Sequence, residues 1–331
     1  MDAVQAKGKT VEEAIQNALK QLHITEDQAE VTVESTGSKG VFGIGATGFL
    51  GSNILKSLCK MKYDVVILKR SFSKLDNIEE VEGDFRAYNI DEISIESIFE
   101  KEKNIDIIIH CATNYGRNQE KLSIVLESNL ILPLKILEIA ARIGSKLFIN
   151  TDTSLSKLDK VQGYMENYIL SKKQFLEWGK LYAESQKISF VNLILEHIYG
   201  PGDDSSKFIA FLIESFKNEV ESINLTAGEQ YRDFIYIEDV VNAYLTVIKK
   251  INEISGFSEF EVGSGNEIKI RELVELIKEL VGSNTALNFG AIEYRENEVM
   301  TSKADISPLL NLGWEPKFDL KMGLRKYIRN Y

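Results

Sequence analysis

Three glycines at three-residue spacing, in Gly45-Ala-Thr-Gly48-Phe-Leu-Gly51, constrain this chain more than any other stretch. Apolar residues Val41, Phe42 and Ile44 lead into the run, and an apolar-periodic segment from Phe49 to Cys59 follows it. That order fits a strand, a tight turn and a helix. In such a turn the glycines let the backbone approach a pyrophosphate, whose negative charge is favoured at the helix N-terminus. Taken alone, the run fits a glycine-rich turn of no function better than a dinucleotide site, so its weight depends on the rest of the chain. The strand available to it is short: only Val41 to Ile44, with Gly43 inside. We expect this segment to serve as the first strand of a parallel sheet, at some cost to the stability of the turn.

The 331 residues accommodate about two domains. A net charge of −11 argues against a dedicated nucleic-acid binder but leaves room for an anionic ligand in a locally positive pocket. The two cysteines, Cys59 and Cys111, lie in apolar contexts and read as core residues suited to a reducing cytoplasm. Met1 to Thr10 is polar, and no apolar run is long enough to span a bilayer. No histidine or cysteine pair has metal-ligand spacing. The expectation is a cytoplasmic protein with neither a membrane nor a metal partner.

Residues 1 to about 40 read as a small appended α+β unit. Thr10-Val-Glu-Glu13 is a capping-box pattern ahead of an apolar stripe at Val11, Ala14, Ile15, Ala18, Leu19 and Leu22. Thr25 to Gln28 fits one more turn, Val31 and Val33 alternate as in a strand, and Thr36-Gly-Ser-Lys-Gly40 is a turn. Together with Val41 to Gly45 this segment resembles the N-terminal domain of Jag-type RNA-associated bacterial proteins. Its four lysines against seven acidic residues offer no basic patch, so the bland reading, an appended folded unit or a fusion scar, stands ahead of RNA binding.

From Gly45 onwards strands and helices alternate, which predicts a doubly wound parallel α/β sheet. Asp64-Val-Val-Ile-Leu68 is its second strand and ends in Lys69-Arg70. A basic pair there accommodates the 2′-phosphate of NADP(H), where an NAD site would carry an acid. Asn89 and Ile90 follow another short strand, at a place that flanks an adenine. Ile105 to His110 is a buried strand leading into Cys111-Ala-Thr-Asn-Tyr-Gly-Arg117. His110 reads as a packed strand-end side chain. A helix is expected from Ser128 to about Ile143, then a strand over Lys146–Asn150 that delivers Thr151-Asp152-Thr153 to the carboxyl edge of the sheet, where ligands of such folds bind.

Of the 13 tyrosines only Tyr168 has a lysine, Lys172, four residues on. On a helix these positions share a face, so the ammonium is expected to lower the phenol pKa towards the working range. Such a tyrosine exchanges a proton with a substrate hydroxyl or carbonyl. A surface pair is the alternative for an isolated Tyr-Lys spacing; its place after the glycine-rich turn and Thr151 reverses that preference.

Gly45 to Gly51, Thr151 and Tyr168/Lys172 resemble the extended short-chain dehydrogenase/reductase superfamily, the NAD(P)-dependent nucleotide-sugar epimerases and dehydratases. Ile198-Tyr-Gly-Pro201, Tyr231 to Asp239, Glu261 to Gly265 and Leu312-Gly-Trp-Glu-Pro316 match further elements of that family, so the resemblance spans about residues 41 to 331. It implies Tyr168 as general acid/base, Lys172 as its electrostatic partner and a ribose contact, and Thr151 as the hydroxyl that orients the sugar. It implies cofactor contacts at Gly45, Thr47, Gly48, Phe49, Leu50, Gly51, Lys69, Arg70, Asn89, Ile90, Ala112 and Thr113. Tyr115, Arg117, Asp152, His197, Arg232 and Arg295 are the candidate substrate contacts. The two last are also chemically apt, because guanidinium binds diphosphate oxygens bidentately.

Three reactions compete. A 4,6-dehydratase needs an acidic pair after Thr151, and only Asp152 is present. A 4-epimerase usually retains NAD, which the Lys69-Arg70 pair disfavours. A 4-ketoreductase needs only the tyrosine, the threonine and exchangeable NADPH. His110–Arg117, Phe148–Leu155 and Asn224–Phe234 look most like CDP-abequose synthase-type reductases, which implies reduction of a CDP-4-keto-6-deoxy sugar for surface polysaccharide. The ketoreductase ranks first and the epimerase second; a non-catalytic NADP(H)-binding scaffold and an RNA-associated adaptor are alternatives of another class. The expected architecture is a dinucleotide-binding domain over 41–195 with a return near 229–263, and a smaller α/β substrate lobe from 196–228 and 264–331. A homodimer is expected through helices Ser128–Ile143 and Tyr168–Ala183.

Overall fold

The computed structural model describes residues 4, 6, 11–23, 40–102, 104–117, 120–158, 165–185 and 187–331. The strand and turns expected within residues 25–39, and the first residue of the capping box, Thr10, lie outside the described residues.

An amphipathic helix α1 (Val11–Leu22) precedes the main body, with Leu19 buried. The main body then alternates in the expected manner: β1 (Gly40–Ile44), α2 (Phe49–Lys60), β2 (Asp64–Lys69), β3 (Phe85–Asn89), α3 (Ile95–Lys101), β4 (Ile107–His110), α4 (Leu122–Leu126), α5 (Leu132–Ile143), β5 (Leu147–Thr153), α6 (Glu166–Glu184) and β6 (Ser189–Leu195). The chain continues through β7 (His197–Tyr199), α7 (Phe208–Lys217), β8 (Ser222–Leu225), β9 (Tyr231–Tyr236), α8 (Ile237–Lys249) and β10 (Phe257–Val262). It closes with β11 (Glu267–Lys269), α9 (Ile270–Val281), β12 (Ala286–Phe289), β13 (Thr301–Ser302), α10 (Ser307–Asn311) and α11 (Leu320–Asn330).

Seven parallel strands form the large sheet in the order β10-β6-β5-β4-β1-β2-β3. The short β1 lies at its centre. Gly40 to Ile44 pair in register with Asp64 to Leu68 on one side, and Val41 to Ile44 with Ile107 to His110 on the other. Alternation sends Val41 into the core on one face and Phe42 into the core on the other. A side chain at Gly43 would meet nothing nearer than 3.8 Å, so this glycine opens no packing defect. Five residues therefore suffice, because both neighbours bond the strand and both faces are covered.

The helix expected to begin at Ser128 begins earlier, at Leu122, and carries a π-turn over Glu127–Ile131 before α5. Pro133 in the first turn of α5 has no N–H to donate to the preceding turn, and a widened turn absorbs that loss. The π-turn also directs Asn129 inward, where its amide nitrogen donates to the Asn114 carbonyl and to Ser171 Oγ. Gly144, at φ 81° and ψ 28°, ends α5 in the left-handed conformation that a glycine adopts without strain.

A second sheet gathers β7, β9, β11 and β13, and a third pairs β8 with β12. The return to the large sheet consequently starts at α8 rather than near residue 229, since Tyr231–Tyr236 pairs with β7, β11 and β13. Two of the C-terminal motifs are structural. Asp233 accepts N–H bonds from Ser264, Gly265 and Ala304, and Asp239 accepts from Lys317 and Phe318 while its carbonyl takes the indole N–H of Trp314.

Candidate active site

Because all seven strands are parallel, the carboxyl ends of β1 to β5 open on one edge. The glycine turn occupies the middle of that edge. A Cβ at Gly45 would stand 2.5 Å from the Ala112 backbone nitrogen, and one at Gly51 2.2 Å from the Gly45 carbonyl. These two glycines are demanded by packing of the turn against β4 and of α2 against the turn. Gly48 differs: its Cβ would meet only the Gly45 oxygen, at 3.5 Å. It is the N-cap of α2, with no side-chain cap and no acid in the first turn. The amides of Phe49 and Leu50 thus begin a helix whose positive end is unneutralised, the arrangement that receives a phosphate.

The other expected cofactor residues line the same edge. Lys69 Nζ donates to Asn89 Oδ1 at 2.6 Å, and the Ile90 N–H donates to the Lys69 carbonyl. Arg70 Nη2 donates to Ser128 Oγ at 3.2 Å. Both cations are held by neutral oxygens in these bonds. Thr47 lends its carbonyl to Asn77 Nδ2, and Ala112 and Thr113 follow directly after β4.

Helix α6 brings Tyr168 and Lys172 together at the adjoining edge, both buried. Their electrostatics depart from expectation. Burial raises the Tyr168 pKa far above the ordinary phenol value; Tyr115 and Asp152 push the same way, and hydrogen bonds with Thr153 and Thr113 oppose it. Lys172 does not reverse this. Its ammonium donates to the Thr151 carbonyl at 2.9 Å, and burial lowers its own pKa. The i,i+4 spacing fixes proximity, but desolvation of a phenolate outweighs it in this state.

The two threonines of β5 differ in their partners. The Thr151 hydroxyl points to the opposite side of the strand, 2.6 Å from the Tyr244 hydroxyl and 3.4 Å from Cys111 Sγ. The hydroxyl beside Tyr168 belongs to Thr153. The strand β5 runs to Thr153 instead of stopping at Asn150, so the residue that leaves the edge lies two places later. The two-residue period alone could have offered both threonines; only the strand end selects between them. Asp152 faces neither cleft nor solvent. It is buried, and accepts the Thr153 N–H and an Asn192 amide N–H.

The substrate candidates divide. The Tyr115 ring lies 5.1 Å from the Tyr168 ring, with the Arg117 guanidinium and the Lys207 ammonium each 4.6 Å from its centroid. Lys207 was not expected there. Arg232, largely buried, donates to Glu298 at 2.8 Å, and Arg295 stands at the start of the same turn, its carbonyl accepting the Glu298 N–H. Glu298 is thus a partner of Arg232 without a sequence signal. His197 sits beside buried Glu196 at 3.6 Å, too long for a hydrogen bond. Among the described residues no group of acidic, histidine or cysteine side chains gathers for a metal, and no helix is long and apolar enough to cross a membrane.

Comparison with known proteins agrees with this geometry. Residues 44–263 match the family described as the NAD dependent epimerase/dehydratase family, and residues 6–50 match the Jag N-terminus. The two matches overlap from Ile44, the last residue of β1, through the glycine turn to Leu50. CDP-abequose synthase of Salmonella muenchen is 38% identical over 292 residues, covering 88% of this chain and 97% of that protein. UDP-glucose 4-epimerase of Thermotoga maritima, solved with UDP-glucose, superposes with a TM-score of 0.77 at 24% identity, covering 88% of this chain and 98% of that one. UDP-glucose 4-epimerase of Thermus thermophilus, solved with NAD, superposes with a TM-score of 0.74 at 20% identity, over 88% of this chain and 98% of that one. The site, the fold and a family match over more than half of its length together place this chain in the NAD dependent epimerase/dehydratase family.

Proposed function

We propose that the protein is an NADPH-dependent reductase of a nucleotide-linked 4-keto-6-deoxy sugar, with CDP as the carrier nucleotide. The observation that carries this reading is a buried phenol and a buried lysine one helical turn apart on α6, at the edge where the glycine turn can seat a dinucleotide. At neutral pH the phenol carries its proton, which it can give to the oxygen of a carbonyl as hydride arrives at the carbon. The kinship to CDP-abequose synthase supports the same direction and nucleotide.

In this reading Gly45, Gly48 and Gly51 bring the α2 amides to the pyrophosphate, and Lys69 and Arg70 face the 2′-phosphate. The bound nicotinamide supplies the hydride. Thr153, with Thr113, orients the sugar carbonyl, and Tyr168 delivers the proton to its oxygen. The charge of Lys172 then stabilises the phenolate left behind. Arg232, released from Glu298 or sharing it, takes the diphosphate. A dehydratase is disfavoured more strongly than before, since Ser154 and Leu155 follow Thr153 and neither is acidic.

The test is loss of nicotinamide absorbance when NADPH and CDP-4-keto-6-deoxyglucose are added together. Turnover only on UDP-hexoses with tightly held NAD would replace this reading by the 4-epimerase. Dinucleotide binding without any turnover would replace it by a scaffold. Lys69→Asp with Arg70→Ala should weaken NADPH about tenfold or more while leaving NADH affinity nearly as it was; equal losses in a fluorescence titration would refute the phosphate role.

We also propose a cytoplasmic homodimer. Leu122, Ile124, Ile131, Leu170, Trp178 and Leu181 are exposed on α4, the π-turn and α6, a set that a second copy would cover. Sedimentation of the wild type should give a dimer and of Trp178→Glu a monomer. An unchanged dimer in the variant would exclude this face.

A further inference from the structure

A polar row crosses the large sheet where its interior is otherwise apolar. His110 of β4, Asn150 of β5, Asn192 of β6 and Glu259 of β10 occupy paired positions on four neighbouring strands. The first three are fully buried, and Glu259 reaches solvent at the sheet edge. Asn150 Nδ2 donates to Asn192 Oδ1 at 2.7 Å, which turns the Asn150 oxygen to His110 Nδ1, 3.3 Å away. That network assigns the ring proton to Nδ1. The Asn192 amide then has two hydrogens to give, and each meets a carboxylate: Asp152 at 3.1 Å and Glu259 at 2.9 Å.

Asp152 stands one step further along β5, on the face it shares with Phe148 and Asn150, and Phe148 packs there against Phe175 of α6. One carboxylate oxygen takes the Thr153 N–H at 2.8 Å and the other the Asn192 amide. The Lys172 ammonium docks on the carbonyl of the preceding residue, Thr151. Both charged side chains are withdrawn from water, Lys172 at 1% and Asp152 at 3% exposure. A buried ammonium with a single carbonyl partner is costly unless an anion stands near it.

The titratable groups around the pair come from three elements. His110 and Cys111 lie at the end of β4, Asp152 on β5, and Tyr168 on the helix of Lys172 itself. His110 is neutral, since burial pushes it down to about 3. Burial pushes the Cys111 thiol up to about 11, so it keeps its proton. The phenol is protonated as well. Asp152 is the carboxyl group among these described residues, and the Lys172 ammonium docks on the carbonyl of the residue before it.

We propose that Asp152 is the counter-ion of Lys172, and that Asn192, backed by Asn150 and His110, is the positioning residue that keeps the carboxylate in place. The consequence for catalysis rests on the tyrosine–lysine reading above; the pairing itself does not. With its anion in place the lysine stays charged, and both Lys172 and Tyr168 hold their protons to higher pH.

Two measurements test this. The first is a double-mutant cycle on the urea midpoint with Asp152→Asn, Lys172→Met and both together. Asp152→Asn should lower the midpoint, and adding Lys172→Met should recover part of the loss. Strictly additive shifts overturn the pairing. The second is the alkaline limb of kcat/KM. In Asp152→Asn it should move to lower pH by about one unit, while Glu259→Gln leaves it in place. An unmoved limb in the first variant, or equal movement in both, overturns the proposal. Coupling in the cycle without turnover on any keto sugar would remove the reductase reading and leave the pair standing; additivity with normal turnover would do the reverse.

Discussion

Replacing Tyr168 with phenylalanine should lower turnover by about 10²- to 10⁴-fold, the range in which a positioned proton donor contributes, with NADPH affinity nearly unchanged. The ring is buried, and phenylalanine keeps its packing against Tyr115. What is lost is the hydroxyl, with Thr153 and Thr113 among its neighbours. A neighbouring pair separates the two threonines of β5. Thr153→Ala should lower turnover by about tenfold or more, since one oriented hydrogen bond in the transition state is at stake. Thr151→Val should cost more in stability than in rate, about 1–3 kcal/mol, because its hydroxyl serves the buried Tyr244. Normal turnover in Tyr168→Phe would sink the proton-transfer assignment. A larger rate loss in Thr151→Val than in Thr153→Ala would return the orienting role to Thr151.

Gly51→Ala should abolish dinucleotide binding and lower the unfolding free energy by about 1–3 kcal/mol. Its methyl would stand 2.2 Å from the Gly45 carbonyl oxygen and 2.8 Å from the Ala46 Cα, and neither backbone atom can swing aside. Relief requires α2 to lift from the turn, which moves its amides away from the phosphate position. Gly48→Ala is the informative contrast. Its methyl would meet one atom at van der Waals distance, so the fold should survive while the space in front of the helix N-terminus fills. Binding should weaken in the second variant without loss of stability. Wild-type NADPH affinity in Gly51→Ala, by fluorescence titration, would show that this turn is not the cradle.

The glycine run, the alternation of apolar strands and helices, and the Tyr168–Lys172 spacing were all legible because each is a local pattern. A tight turn, a strand period of two and a helical period of 3.6 leave their marks within a few residues. The short β1 shows the limit. Counted alone, Val41 to Ile44 looks too weak for a central strand, yet pairing with β2 and β4 on both sides completes it.

The sequence by itself determined the fold class, the family and the edge of the sheet at which chemistry is placed, since these follow from residue order and local propensity. The tertiary structure alone decided that the Thr151 hydroxyl turns to Tyr244, that burial raises the tyrosine pKa where a neighbouring lysine was expected to lower it, and that Asp152 turns inward to Asn192. Those outcomes depend on where a strand ends, how deeply a helix packs and which distant strand supplies Asn192. Desolvation and non-local hydrogen bonds exist only once the chain has closed around them.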